Sequence, residues 1–149
     1  MKPIQIISYW ERVRTGLLET IDKFSEQELH DAPFKGSWQI GQIMLHIADC
    51  EDNWLHGVVR HELEPWIFYK LRDYPTKAQI ITVLNRSRQR TLAFLETLQE
   101  ADLSTTYAIL DGTRFSLRWI IWHVLEHEIH HRGELSLALG FLGREGLDV

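Results

Sequence analysis

The chain has 149 residues, which suits a single domain with a hydrophobic core of its own. Its net charge of −5, from 16 Lys and Arg against 21 Asp and Glu, provides no positive field for nucleic acid, and no apolar run reaches the ~20 residues of a membrane-spanning helix. Charges near the N-terminus also leave no room for the apolar core of a signal peptide, so we expect a cytoplasmic protein.

The first predicted element is an amphipathic helix over residues 3–24, with Pro3 in its first turn. Its apolar positions recur every three or four residues: Ile6, Ile7, Trp10, Val13, Leu17, Leu18 and Ile21. Residues 25–36 are predicted to be a connection with at most a short helical turn, because Pro33 and Gly36 closely follow the capping-box sequence that starts at Ser25.

A second long helix is predicted to begin at a Ser37 cap and to end near Glu64 and Pro65. It has a broad apolar face: Trp38, Ile40, Ile43, Met44, Ile47, Cys50, Trp54, Leu55 and Val58. Because the chain has one cysteine, it has no internal disulfide or multi-cysteine zinc site, and a bound metal would need His and carboxylate ligands.

Three histidines of this second helix differ in their surroundings. His46 lies three residues after Ile43 and four before Cys50, which places it on or beside the buried face. Cys50 is expected to be a small core residue. His56 and His61 have polar neighbours and are expected at the surface.

Residues 65–75 are aromatic and bounded by two prolines, so they are predicted to form an irregular loop or one helical turn over the end of the bundle. Thr76 and Gln79 resemble a capping box that opens a third helix, which extends to about Leu98. Residues 102–115 contain the turn signal Asp111-Gly112 and are predicted to be a long loop or a short extended segment.

The fourth helix, over residues 116–143, carries the most informative pattern in the chain. A 3-4-3-4 series alternates apolar residues with histidines along one predicted buried stripe: Ile120, Val124, His127, His131, Glu134 and Ala138. Imidazoles four residues apart lie one turn from each other, so His127 and His131 can converge on one cation. Two structural histidines in the core are the alternative.

Four amphipathic helices without a convincing alternating strand predict an all-α four-helix bundle, with residues 1–149 as one domain. If helices 2 and 4 face each other, His46 lies opposite the pair His127 and His131. Three histidines would then form a divalent metal centre with at least one open coordination position.

These residues also carry a family resemblance. The run Gly36-Ser37-Trp38-Gln39-Ile40, then His46, and then the string HEIHHRG from His127 to Gly133 resemble the DinB/YfiT-like superfamily of metal-dependent enzymes. The resemblance spans nearly the whole chain, and HxxxHRG is its most specific part. It implies a four-helix bundle with up-down-down-up connectivity, and a homodimer.

The resemblance also implies a site and a chemistry. Nickel or zinc would be held by three histidines that correspond to His46, His127 and His131. Some members of the family use low-molecular-weight thiols such as mycothiol, bacillithiol or glutathione. This chain would accordingly be a thiol-dependent S-transferase or isomerase acting on a small molecule, with Glu134 as a catalytic residue that moves a proton.

Four residues near the histidines keep more than one interpretation. Glu134 stands where the family commonly has Gln, and it could support a ligand, bind the metal or lie exposed. His123 could orient a ligand or pack against Trp119 or Trp122. His130 is expected at the surface, and Arg132 is expected to pair with Glu128, or alternatively to bind a substrate carboxylate.

Three other functions remain open at this point. Metal-dependent hydrolysis would need a general base, for which Glu134, Asp49 and Glu51 are candidates. A ferritin-like di-iron centre is less well matched, because the chain offers one Glu-x-x-His string, from Glu128 to His131. A non-enzymatic metal-binding or dimerisation module would use the aromatic residues Trp54, Trp66, Phe68 and Tyr69 as a contact surface, unless these cover the site.

Overall fold

The computed structural model describes residues 3–147. Within the first helix it does not describe the side chains of residues 4, 6 and 7, so the predicted apolar side chains of Ile6 and Ile7 lie outside the described part of the chain. Four helices dominate: α1 (Ile4–Asp22), α2 (Ile40–Glu51, continued by a π-helical segment Asp52–Val59), α3 (Lys77–Thr97) and α4 (Leu117–Phe141). They confirm the predicted all-α four-helix bundle. Among the described residues, no helix combines the length and the apolar character needed to cross a bilayer.

Short elements connect the helices. A 3₁₀ turn, Glu28–His30, follows the capping box in which Ser25 and Glu28 bond each other reciprocally. A second 3₁₀ helix, Glu100–Ser104, leads to strands β1 (Thr106–Ala108) and β2 (Arg114–Ser116). These strands pair antiparallel around the predicted turn at Asp111-Gly112, where Gly112 has φ +84°. The predicted short extended segment is therefore a small hairpin.

The contacts between helices establish their order and direction. Each of α1 and α2 packs against both α3 and α4, so consecutive helices α1 and α2 lie diagonally across the bundle. Helix α1 runs parallel to α4, as shown by the pairs Trp10–Glu128 and Lys23–Arg144. It runs antiparallel to α3, as shown by Arg14–Leu84 and Asp22–Lys77. Helix α2 runs antiparallel to α4, as shown by His46–His127 and Trp54–Trp119. In chain order the helices therefore run up, down, down and up.

Both ends of the second helix differ from the prediction. Helix α2 begins at Ile40, whose N–H bonds to the carbonyl oxygen of Asp31, while the hydroxyl of Ser37 bonds to the backbone of Trp38 and caps nothing. At its other end the helix changes to π-helical hydrogen bonding and stops at Val59, before Pro65. The chain then turns at His61, which is exposed as predicted and has φ +53°.

The predicted exposure of His56 was wrong. Its imidazole is 0% exposed, and its Nε2 lies 3.2 Å from the hydroxyl oxygen of Thr91 on α3. The change from α- to π-helical bonding rotates the residues of this segment relative to an α-helical pattern, so polar neighbours in sequence did not indicate a solvated face. Burial lowers the pKa of His56, assisted by the nearby positive charge of Arg90.

The core consists of two apolar clusters separated by a layer of charge. One cluster contains Leu17, Ile43 and Leu84, among others, and the second contains Trp10, Leu55 and Leu125. Each helix contributes one buried charged residue between the two clusters: Arg14, Glu51, Arg88 and Glu128. We call these four residues the charged layer.

Within the charged layer, each carboxylate bonds both guanidinium groups. Arg14 donates to Glu128 Oε1 (2.7 Å) and to Glu51 Oε2 (2.9 Å), and Arg88 donates to Glu51 Oε1 (2.9 Å) and to Glu128 Oε2. The indole N–H of Trp10 donates to Glu128 (2.6 Å), and its ring lies 4.2 Å from the Arg88 guanidinium carbon. The predicted pairing of Glu128 with Arg132 was therefore wrong, because Glu128 points into the bundle interior.

We expect Glu128→Ala to lower the free energy of unfolding by about 3–5 kcal/mol, since it leaves two buried guanidinium groups with one carboxylate, Glu51, in place of two. Urea denaturation followed by circular dichroism measures this change. The control is Glu126→Ala, an exposed glutamate on the same helix, which should stay within about 0.5 kcal/mol of the parent protein. Equal stability of the two variants would contradict the importance of the layer.

The pKa of Glu51 makes stability depend on pH. Burial raises this pKa, but the charges of Arg88 and Arg14 outweigh burial and lower it to about 2, against about 4.3 in an unfolded chain. A depressed folded-state pKa stabilises the protein above pH ~5, and this stabilisation is lost as the pH falls toward 2. We expect urea denaturation to show a falling free energy of unfolding across this window.

The control for this pH dependence is Glu51→Gln, which has no titrating carboxyl group at that position. The variant should be less stable at neutral pH and should lose less stability on acidification than the parent protein. An unchanged slope of unfolding free energy against pH would show that other groups cause the acid sensitivity.

Candidate metal centre

The three predicted ligands lie together where α2 and α4 run antiparallel. Helix α4 begins at Leu117 because the hydroxyl of Ser116 accepts the N–H of Trp119 (3.2 Å), as predicted, and it then continues for 25 residues. His127 and His131 occupy successive turns of this helix, and His46 faces them from α2. The sequence spacing therefore brings all three imidazoles to one place.

The histidines lie at the edge of the buried face of α4, which differs from the predicted stripe. Ile120, Val124 and Ala138 are buried as predicted, but His127, His131 and Glu134 are half-buried. The residue that points into the interior is Glu128, in the charged layer. This orientation leaves the histidines beside the surface, where a small molecule can reach them.

The geometry of the cluster suits a single ion. The Nε2 atoms of His46 and His127 are 3.1 Å apart, and one ligand atom from each of the three residues lies within 4.8 Å of the others. Two nitrogens bound to a tetrahedral ion with bonds of about 2.0–2.1 Å are about 3.3 Å apart. The observed separation of His46 and His127 is therefore close to the one that a shared ion requires.

The local environment favours the neutral form of the two imidazoles on α4. Burial, together with the neighbouring imidazoles of His131 and His46, lowers the pKa of His127 to about 3. Burial also lowers the pKa of His131, although its hydrogen bond to Glu134 acts in the opposite direction. Neutral imidazole has the free lone pair that a metal ion requires, so the donor set fits a divalent transition metal.

Two carboxylates lie against the outer nitrogens of the cluster. Glu134 Oε2 is 2.7 Å from Nδ1 of His131, and Asp49 Oδ2 is 3.6 Å from Nδ1 of His46. A carboxylate that accepts the Nδ1 proton leaves the Nε2 lone pair free for a metal. Nδ1 of His127 is buried and has no hydrogen-bond partner among the described residues.

The matching family model identifies the chain's relatives. The model of the DinB superfamily matches residues 9–135. The chain belongs to the DinB superfamily. This confirms the resemblance that the sequence motifs indicated.

Individual relatives are distant but cover most of the chain. OB0413 of Oceanobacillus iheyensis, provisionally named a metal-dependent hydrolase, is 25% identical over 146 residues, which are 91% of this chain and 82% of that protein. YfiT from Bacillus subtilis is described as a probable metal-dependent hydrolase with an unusual four-helix bundle topology. Its structure superimposes with a TM-score of 0.65 at 20% identity, and the match covers 93% of this chain and 87% of the YfiT chain.

A mutant of mycothiol-dependent maleylpyruvate isomerase has the same fold. Its structure superimposes with a TM-score of 0.64 at 11% identity, and the match covers 93% of this chain and 66% of the isomerase chain. At such low identity these structures establish the fold alone.

Other predicted residues of this DinB-superfamily chain are not part of the cluster. His123 packs against Trp119, with ring centroids 4.7 Å apart and planes at 9°, and its ring lies 6.2 Å from that of His127. His130 is exposed as predicted, and together with His131 and Glu134 it forms a second group of closely spaced donor atoms. Cys50 is buried as predicted, and burial raises the pKa of its thiol.

Glu51 cannot be the general base that hydrolysis would need at the histidine cluster. Its carboxylate is buried in the charged layer and bonds Arg14 and Arg88. The layer itself was not predicted from the sequence. Its signal is a charged residue within the apolar face of a helix, for example Arg88 between Leu84 and Leu95.

Two cavities adjoin His46. A small one of about 100 Å³ is lined by aromatic rings and Cys50, and an open cleft of about 540 Å³ is lined by Trp38, Gln42, Asp49, Phe68 and Lys70 besides His46. The predicted irregular loop over residues 65–75 forms one wall of the cleft. Phe68 is exposed, whereas the other three aromatic residues of the predicted contact surface are half-buried or buried: Trp54, Trp66 and Tyr69.

Polar side chains of α2 hold this loop beside the cluster. Asn53 accepts the N–H of Trp66, Asp49 Oδ1 accepts the N–H of Tyr69 (2.7 Å), and the Gln42 amide bonds the backbone of Tyr69 and Leu71. These bonds fix the loop along α2, so the cleft has two defined walls.

Proposed function

We propose that this protein is a metal-dependent enzyme that activates a small thiol for S-transfer or isomerisation of a small molecule. His46, His127 and His131 would bind one divalent ion, zinc or nickel, and the thiol would be a co-substrate. The observation that carries the proposal is the convergence of three imidazoles beside an open cleft. A cytoplasmic homodimer, which the sequence and the family resemblance favour, is part of this proposal.

The chain's own residues would hold and orient the ion. A divalent ion bound by three neutral imidazoles keeps its full double charge and lowers the pKa of a bound water or thiol. Glu134, hydrogen-bonded to Nδ1 of His131, would keep that ring in the required tautomer. Asp49, 3.6 Å from Nδ1 of His46, would favour the same tautomer there through its negative charge alone. We therefore assign Glu134 a positioning role, in place of the proton transfer predicted from the sequence.

The positions of the carboxylates favour a thiol over water as the nucleophile. Asp49 and Glu134, which lie nearest the cluster among the described residues, both face the outer nitrogens of its histidines. Glu134 is hydrogen-bonded to His131 and Asp49 is only 2% exposed, so neither carboxylate is placed to take a proton from water. A thiol ionises far more readily than water, so it depends less on a general base.

Hydrolysis is the second candidate function, and the descriptions of OB0413 and YfiT favour it. In that case Glu134 would leave His131 and accept a proton from water. A non-enzymatic metal-binding module is the third. Two assays of metal-loaded protein separate these candidates. Turnover of a chromogenic electrophile with glutathione or bacillithiol would support thiol transfer, and turnover of a chromogenic ester would support hydrolysis. Turnover in neither assay would support the binding module.

We expect protein purified without an affinity tag to contain about one equivalent of transition metal, and His46→Ala or His127→Ala to lose it while remaining folded. Elemental analysis measures metal content, and circular dichroism measures folding. The matched control is His130→Ala, an exposed neighbour outside the three-histidine cluster, which should keep its metal. A full equivalent of metal in either single variant, or none in the parent protein after incubation with zinc and nickel salts, would contradict the proposed site.

We expect Glu134→Ala to weaken metal binding by about 10- to 100-fold, because His131 loses the acceptor for its outer nitrogen. Glu134→Gln keeps an acceptor oxygen and should weaken binding less. Competition with a chelating dye measures both affinities, with Glu126→Gln as a surface control. If Glu134→Gln binds metal normally but loses ester hydrolysis, Glu134 is a proton carrier and the positioning role is wrong.

A further inference from the structure

The open cleft beside His46 has a composition that indicates what it binds. It lies between the loop over residues 65–75 and the N-terminal half of α2, and its volume of about 540 Å³ is in the range of small-molecule sites. His46 forms part of its wall, so a molecule in the cleft reaches the three-histidine cluster.

Most polar groups of the cleft are already bonded within the protein. The Gln42 amide uses both ends on the loop, since its nitrogen donates to Tyr69 O (2.9 Å) and its oxygen accepts from Leu71 N (3.0 Å). Asp49 uses one carboxylate oxygen on Tyr69 N and holds the other near His46. Gln42 therefore has neither end of its amide free for a ligand, and Asp49 is only 2% exposed.

Lys70 is the exception. It is exposed, and among the described residues its ammonium group has no hydrogen bond or ion pair. The ring of Phe68 lies beside it, with a distance of 6.0 Å from Nζ to the ring centroid. The positive charge of Lys70 is therefore available to a ligand. Because the cleft's other charged side chain, Asp49, faces protein groups, an anionic ligand is favoured.

Two aromatic side chains flank this charge. Trp38 is 53% exposed and Phe68 is 46% exposed, although both are large apolar residues. Trp38 packs edge-on against His46, with ring centroids 4.9 Å apart, which places an apolar surface directly beside the cluster. Exposed aromatic residues that line a cleft are typical of a ligand-binding surface.

We propose that the cleft binds small organic anions, carboxylates in particular, that also carry an apolar or aromatic part, and that Lys70 selects their charge. The apolar part would pack on Trp38 and Phe68, and the anionic group would pair with Lys70. This inference rests on the proposed function in one respect, because it names the class of substrate for the same site.

The test compares two probes of nearly equal shape, 3-phenylpropanoate and the uncharged 3-phenylpropanamide. Isothermal titration calorimetry measures both on the full chain, in metal-free and in zinc-loaded form. We expect the parent protein to bind the carboxylate about tenfold more tightly than the amide in both forms, and the preference to decrease with added salt. Lys70→Gln should remove most of this preference and leave amide binding unchanged.

The matched control is Arg72→Gln. Arg72 lies two residues after Lys70 and carries the same charge, but its side chain does not line the cleft. The variant should bind both probes like the parent protein. Failure of the parent to bind either probe at millimolar concentration, or an equal preference in the parent and in Lys70→Gln, would overturn the inference.

The two metal states separate this inference from the proposed function. A carboxylate preference that requires zinc and is unchanged in Lys70→Gln would reject the role of Lys70 and leave the metal site intact. A preference that depends on Lys70 in metal-free protein, combined with unchanged metal content in His46→Ala, would support the inference and reject the three-histidine centre.

Discussion

The charged layer is the interaction on which the rest of the bundle depends. Two guanidinium groups and two carboxylates, one from each helix, are buried between apolar clusters and bond each other pairwise. Burying charge is costly unless every group is paired, so the layer tolerates little sliding or rotation of any helix. Rotation of α4 would withdraw Glu128 from Arg14 and Arg88. With Glu128 fixed inward, His127 and His131 are necessarily at the edge of the same helix, facing α2.

The helices themselves followed from local sequence, and the errors occurred where a distant group supplied the decisive bond. Caps at Thr76 and Ser116 act through side chains within three residues, so the starts of α3 and α4 were predictable. The start of α2 was not, because the N–H of Ile40 bonds to the backbone of Asp31, in the preceding connection. His56 was misplaced because apolar periodicity assumes α-helical geometry, which the π-helical segment does not have.

The candidate site likewise contains features that local sequence predicts and features that depend on tertiary contacts. The spacing of His127 and His131 is a local property of a helix, and His46 follows the apolar pattern of the second helix. The trio could therefore be named before its geometry was known, and the family resemblance agreed with it. Asp49 could be named as a candidate base, but its position between His46 and the loop could not be predicted, and neither could the cleft. Both depend on how the loop over residues 65–75 lies against α2. Lys70 and Phe68 have no periodic pattern, and only the tertiary structure brings them near the histidines.

Asp49 connects the two parts of the site. One of its oxygens accepts the N–H of Tyr69, and the other faces Nδ1 of His46. The loop that carries Phe68 and Lys70 is thus held by the same carboxylate that faces a proposed metal ligand. A shift of this loop would change the position of the carboxylate, and with it the negative charge beside the His46 ring. In this arrangement the contacts that recognise a ligand and the geometry of the histidine cluster are coupled through a single buried side chain.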